Sequence, residues 1–307
     1  MLTQHEPNVS LPFWDTILDE KLAQPKDSVL FTDHLLGPSR GALTSGPFAG
    51  HTNPGGFCEL VFGNVTRRFV KEFPDRLSGM LSRDIVQESV FRYAKYTDFQ
   101  APVPSKLKND FSSLIETYHS AFHNFIGGDI ASVPCAPVDP LFWMWHASLD
   151  ALWEEFRQEK QTTDIQTEYP DYPALPAGYA AHAPMIPFKE SNLWGLSSHF
   201  TTYRYKYDVR PSKYSCTLNE DCRSQFLFCH CGQCTSKVQE NGNCTGLGDE
   251  SCFCAGEKRG SCLLVQCKCY NNKTRMYFNI IYISSLLTFQ PFVQYFLKFC
   301  HTLRTRL

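Results

Sequence analysis

The stretch Tyr118–Phe156, YHSAFHNFIGGDIASVPCAPVDPLFWMWHASLDALWEEF, decides how the rest of the chain is read. It holds three histidines, His119, His123 and His146. His119 and His123 are four residues apart, so on a helix their imidazoles share a face and can point at one ion. Gly127-Gly128 interrupts that helix. Asp139 as an N-cap and Pro140 in the first turn start a second helix, which carries His146. Two histidines on one helix and one on the next define a three-imidazole metal site inside a helix bundle. Imidazole suits copper, zinc, iron and nickel alike, so ligand type leaves the metal open. Three protein ligands also leave a coordination position for a substrate or a gas. Asp150, four residues after His146, is expected to accept the free ring N–H of a ligand histidine and fix its tautomer. A histidine pair at this spacing is, taken alone, more often an ordinary surface or core feature. The third histidine, the helix punctuation and Asp150 set this one apart.

Working outward, Leu114, Ile115, Tyr118 and Phe122 give the first helix, read as Lys106–Asn124, an apolar face at helical spacing. Phe142, Leu149, Trp153 and Phe156 do the same for the second and read as core. The 307 residues suffice for a sizeable core plus a small module. A net charge of −2, from 29 Lys+Arg against 31 Asp+Glu, gives no basic stripe and speaks against nucleic acid. The 24 Phe suit an aromatic-lined bundle core.

Cysteine is unevenly placed: eleven of the fourteen fall between Cys216 and Cys269. That density predicts a disulfide-rich module and an oxidising compartment. Zinc is the alternative, through Cys231-Gly232-Gln233-Cys234, but the irregular spacings favour disulfides. Eleven is odd, so one cysteine is free or pairs outside the module. Four N-x-S/T triplets, at Asn8, Asn64, Asn243 and Asn272, are compatible with a secreted glycoprotein. Met1–Pro7 has neither a basic n-region nor an apolar h-region, so export implies a start upstream of Met1. Tyr277–Leu297 is uncharged between Arg275 and Lys298 and long enough to span a bilayer, although Asn279, Gln290, Pro291 and Gln294 weaken it. A membrane anchor, a buried terminal strand and a spurious tail are three readings of it.

The run Asp139–Asp150, DPLFWMWHASLD, resembles the second-copper signature of tyrosinases: Asp-Pro, any residue, Phe, a hydrophobe, two residues, His, three residues, Asp. His119, three residues, His123 and then Gly127-Gly128 resemble the other half of that site. From about Asn8 to Cys269 the chain is similar to invertebrate, mollusc-like tyrosinases. PNVSLPFWD (residues 7–15) resembles the segment that follows the first copper site, Met185–Phe188 and Gly195–Ser197 the segment that wraps the bundle, and Tyr203–Tyr207 the aromatic close of the domain. The expected fold is mainly α, a tyrosinase/haemocyanin-like helix bundle with long irregular loops, followed by a small disulfide-rich, EGF-like module. The expected domains are residues 1–210 (the copper-binding domain with the second copper site), 211–270 (the Cys-rich module) and 271–307 (the hydrophobic tail).

The resemblance implies copper as cofactor, two ions in the family, with His119, His123 and His146 as ligands of the second and Asp150 behind them. It implies phenolic and catecholic small molecules and O2 as partners, o-diphenols being oxidised to o-quinones. Glu116 is the candidate for the acid that holds an active-site water, or else a solvated helix carboxylate. Ser120 stands where members that hydroxylate monophenols carry Asn. Its hydroxyl reaches less far, which makes monophenol hydroxylation less expected than catechol oxidation. Trp145 stands where the family often has another His, beside the ligand position and not at it. His5, His34, His51, His182, His199, His230 and His301 do not supply the widely split triad of a first copper site, so one half-site of two is expected and the chain alone is expected to be inactive. Cys58 and Cys135 are candidates to pair. Two alternatives stand beside the oxidase: a non-catalytic extracellular matrix or binding protein on the same scaffold, and an oxygen carrier, against which the Cys-rich part speaks.

Overall fold

The computed structural model describes residues 10–53, 63–68, 82–99, 115–170, 177–256 and 258–271, without the side chains of residues 63, 64, 88, 89, 116 and 117. The chain divides into two compact units, Met1–Glu20 with Leu30–Arg210, and Lys21–Val29 with Pro211–Leu307. The first is mainly helical and the second is a cysteine-rich pair of hairpins.

In the helical unit, β1 (Arg40–Ala42), β2 (Thr52–Asn53), β3 (Gly63–Asn64) and β4 (Thr66–Arg68) form two short antiparallel ladders, β1 with β4 and β2 with β3. Helices α1 (Arg83–Val86) and α2 (Tyr96–Phe99) are single turns, and the Ser82 hydroxyl caps α1 by accepting from the Ile85 N–H. Two long helices follow, α3 (Ile115–Ile126) and α4 (Pro140–Glu159), then the short α5 (His199–Tyr203). Residues 106–114 of the expected first helix, including Leu114, lie outside the described residues. Tyr118, Phe122 and Ile126 form the buried face of α3, and Leu141, Trp145, Leu152 and Phe156 that of α4. Phe142, Leu149 and Trp153 pack against this core but stay partly exposed. Phe122 stacks on Trp145 with centroids 4.0 Å apart, and Phe99 on Phe156 at 4.6 Å. Each such side chain contributes about 1.5–3 kcal/mol from leaving water.

The punctuation read from the sequence is realised atom by atom. Gly127 and Gly128 take left-handed φ of +62° and +69° and end α3. A Cβ on either would collide with the backbone carbonyls of Arg68 or Thr66, so the two glycines also let β4 pass close to the helix end. Asp139 caps α4 by accepting from the Leu141 N–H. That carboxylate has a second duty: it is fully buried and takes two hydrogen bonds from the fully buried Arg67 of β4, each 2.7 Å. The remaining guanidinium nitrogen donates to the Leu36 and Pro38 carbonyls. A buried charge pair is tolerated only when its hydrogen bonds are filled in this way.

The cysteine-rich unit contains the hairpins β5 (Leu227–His230) with β6 (Gln233–Ser236), and β7 (Arg259–Leu263) with β8 (Gln266–Tyr270). Its cysteines are in disulfides and not in a zinc site: Cys216–Cys229, Cys222–Cys234, Cys244–Cys262, Cys252–Cys267 and Cys254–Cys269. Ten of the eleven thus pair within the module. The odd one, Cys231, is also disulfide-bonded, and so is Cys135 of the helical unit.

The spacings that read as irregular conceal a duplication. With Cys231 and the Cys254–Cys269 bridge set aside, four cysteines remain in each half; the first bonds the third and the second bonds the fourth, and the third and fourth face each other across a hairpin: Cys229 opposite Cys234, Cys262 opposite Cys267. The backbone N–H of Cys216 donates to Gly232, and that of Cys244 to Val265. The N–H of Cys229 donates to the side chain of Asn219, and that of Cys262 to Asp249, both at 2.8 Å. Both hairpins turn through two residues with positive φ, Cys231-Gly232 and Leu264-Val265. The unit also includes Lys21–Val29, a segment far away in sequence. Val29 donates to the Lys237 carbonyl, Gln239 donates to that of Asp27, and Leu22 joins the small core around Phe228 and Val238.

Candidate metal centre

Helices α3 and α4 bring His119, His123 and His146 to one point. The Nε2 of His119 lies 2.9 Å from that of His146 and 3.1 Å from that of His123. Two of the rings have their tautomer fixed from behind. Nδ1 of His123 is 2.7 Å from the Ile130 carbonyl and Nδ1 of His146 is 2.8 Å from the Phe142 carbonyl. A carbonyl oxygen only accepts, so each Nδ1 carries a hydrogen and each neutral ring presents an Nε2 lone pair forward. Phe142 stacks on His146 with centroids 3.8 Å apart and holds the ring from its flat side.

This donor set fits a cation. Two Nε2 lone pairs converge on a third nitrogen, and one proton on His119 could satisfy only one of the two short contacts. A metal ion satisfies all three. Nitrogens that share an ion at about 2.0–2.1 Å with tetrahedral angles stand about 3.3 Å apart, close to the spacings found here. Among the described residues this is the one cluster of histidines able to ligate an ion; the other two metal-compatible groups are cysteines already in disulfides.

Asp150 does not do what its spacing suggested. It accepts from the hydroxyls of Tyr205 at 2.9 Å and Tyr207 at 2.6 Å, while the ring N–H groups of His123 and His146 go to backbone carbonyls. The reason is helix geometry. Side chains lean toward the helix N-terminus, so the His146 ring reaches the preceding turn at Phe142 and leaves Asp150, one turn later, behind it. Burial first, and then the charge of Asp150 and the hydrogen bond to it, push both tyrosine hydroxyls well above the usual phenol range, so they remain donors.

Ser120 is exposed, and its carbonyl accepts from the Asn124 side chain at 3.3 Å. The Glu116 side chain lies outside the described residues, as do Cys58 and the segment 277–297. Trp145 is fully buried against Phe122, on the wall behind the histidines. Sequence reasoning had no means of finding the Ile130 and Phe142 carbonyls, since every residue carries one. Arg67 carried no signal that sets it apart from Arg68, its neighbour in the sequence.

The histidine pair, the third histidine on a capped helix and the buried aromatic core define a three-imidazole metal-compatible site in a helix bundle. A family model, the common central domain of tyrosinase, matches residues 1–159, and the chain belongs to the tyrosinase family. It is 29% identical over 278 residues to a tyrosinase-like protein of Caenorhabditis elegans, covering 86% of this chain and 38% of that protein. It is 27% identical over 250 residues to a tyrosinase-like protein of Pinctada maxima, covering 76% of this chain and 52% of that one. It is 28% identical over 222 residues to a tyrosinase of Streptomyces antibioticus, covering 66% of this chain and 72% of that enzyme. The chain thus spans 38% to 52% of the length of these animal relatives.

Proposed function

We propose that the chain provides the second-copper half of a type-3 copper oxidoreductase that oxidises o-diphenols to o-quinones with O2. One observation supports this reading above the others: three imidazole Nε2 atoms converge on one point, two of them with Nδ1–H anchored to a carbonyl. His119, His123 and His146 would hold the ion. Copper bound there supplies one-electron redox chemistry toward O2 and a Lewis-acidic site for a phenol oxygen. The protein contributes what the ion cannot: fixed tautomers through Ile130 and Phe142, a fixed ring plane through Phe142, and an aromatic wall that keeps water from behind the ligands. The Asp150–Tyr205–Tyr207 cluster holds the chain after α5 against the helix that carries His146.

Monophenol hydroxylation is the weaker half of the activity, because Ser120 is short and exposed. A secreted, extracellular setting follows from the disulfide density, since such unions persist in oxidising compartments. Among the described residues no helix is long and apolar enough to cross a membrane. In the family a coupled pair of ions is needed, and the described residues offer one three-histidine cluster. The test is copper per chain by elemental analysis, together with O2-dependent catechol oxidation. One copper with no turnover by this chain, and turnover in a longer form carrying three further ligands, supports the proposal. No copper bound after reconstitution contradicts it.

A further inference from the structure

Residues 127–139 join the two helices that carry the histidines, and both ends of this connection are fastened to one short strand. Adjacent β4 residues do the fastening, across sequence separations of 63 and 72. At the α3 end, Asp129 accepts from the Thr66 N–H at 2.6 Å and from the Thr66 hydroxyl at 3.0 Å. At the α4 end, Asp139 takes its two 2.7 Å bonds from Arg67. Both carboxylates are buried. Hydrogen bonds of this length to a carboxylate are the short, charge-assisted kind that fix position as well as adding energy.

Each fastened carboxylate stands next to an atom that aims a histidine. Asp129 directly precedes Ile130 in the single turn Gly128–Ala131, and the Ile130 carbonyl holds Nδ1 of His123 at 2.7 Å. The Asp139 side chain accepts from the Leu141 N–H and its carbonyl accepts from the Phe142 N–H, both at 2.9 Å. The Phe142 carbonyl in turn holds Nδ1 of His146 at 2.8 Å. Gly127 and Gly128, both at left-handed φ, begin the connection, so its own backbone is a poor ruler between the two carbonyls. Ligand atoms must be held to within about 0.5 Å by the groups behind them. We propose that Thr66 and Arg67 of β4, with Asp129 and Asp139, are positioning residues of the metal centre. They set the separation of the Ile130 and Phe142 carbonyls, and through them the convergence of His123 and His146. This role rests on reading the histidines as a metal site, but its first readout needs no metal.

The test compares the intact protein with Asp129→Ala, with the conservative Asp129→Asn, which keeps an acceptor oxygen, and with Glu168→Ala as a control. Glu168 fastens another part of the same unit, through Tyr96, Thr97 and Thr163, so its loss costs stability away from the histidines. In the metal-free protein, 15N-edited NMR of the imidazoles should show a protected His123 Nδ1–H. Asp129→Ala should lose that signal, while Asp129→Asn and Glu168→Ala should keep it. Copper affinity, read by competition with a chelator, should fall about 10–100-fold in Asp129→Ala and stay unchanged in Glu168→Ala. Thr66→Val, an exposed position that gives up only the hydroxyl bond, should shift both readouts in the same direction by less, and it decides the matter if Asp129→Ala does not fold. A parent that shows the Nδ1–H signal, loses it in Asp129→Ala and binds no copper supports the positioning role while contradicting the metal reading. A signal and an affinity that survive in Asp129→Ala overturn the proposal. So does an equal loss in Glu168→Ala, which would make the effect one of stability alone.

Discussion

The two units are held together by different physics. The helical unit orders its site with a broad aromatic core and a fully buried ion pair, Arg67–Asp139. The cysteine-rich unit has a small core, led by Phe228 and Val238, and depends on five disulfides, four of them in a twice-repeated arrangement. A small unit cannot bury enough apolar surface to offset chain entropy, so covalent links replace packing. A larger core can tolerate three polar imidazoles at its edge and still hold them to tenths of an ångström. Function is therefore expected to sit where packing gives precision, and durability where crosslinks do.

Reduction should separate the units most sharply. With excess reductant the hairpins β5–β6 and β7–β8 should lose amide protection altogether, because each lost native disulfide in a small domain costs about 2–5 kcal/mol. Residues of α3 and α4 should keep most of theirs. Hydrogen exchange read by mass spectrometry checks both, and equal loss in the two units would erase the contrast.

Next in size is Arg67→Met, which strands the Asp139 carboxylate in a dry interior. Breaking such a pair costs about 3–5 kcal/mol, and urea unfolding followed at the helix signal should show it. The loss should exceed that of any single exposed charge, such as Lys189→Gln. Within the site, His146→Ala should reduce copper affinity by more than the 10–100-fold that follows loss of an outer partner. Tyr207→Phe should cost only about 1 kcal/mol of stability and leave copper affinity nearly unchanged, since Asp150 serves the chain after α5 and not a ligand ring. A large affinity loss in Tyr207→Phe would reinstate Asp150 behind the metal.

The smallest effect concerns pH. Glu168 is raised by burial, but hydrogen bonds from Thr163, Thr97 and Tyr96 outweigh this and hold it below the usual carboxylate range. Its folded pKa is thus depressed. The stability it contributes is present above the unfolded value of about 4.3 and is lost as pH falls through the folded one. Unfolding midpoints between neutral pH and pH 3 should fall less steeply in Glu168→Gln than in the parent.

Much of the helical unit was legible because its signals are local. The four-residue histidine spacing, Gly127-Gly128 and Asp139-Pro140 each act within one turn of helix, and each does in the structure what its chemistry implied. Asp150 was misjudged because spacing gives the face of a helix but not the lean of its side chains. The Lys21–Val29 contribution to the cysteine-rich unit joins residues some two hundred apart and has no local signature. The duplicated cysteine motif was hidden because its loop lengths differ while its pairing and hairpin register are the same. A pattern defined by hydrogen bonds, such as Asn219 to Cys229 and Asp249 to Cys262, does not show in cysteine spacing.

Copper K-edge X-ray absorption on the protein loaded with one equivalent of copper tests the central claim most directly. Three imidazole nitrogens at about 2.0 Å, falling to two in each of His119→Ala, His123→Ala and His146→Ala, is the predicted result. A parent spectrum dominated by sulfur or carboxylate scattering, or one that the three substitutions leave unchanged, would contradict it.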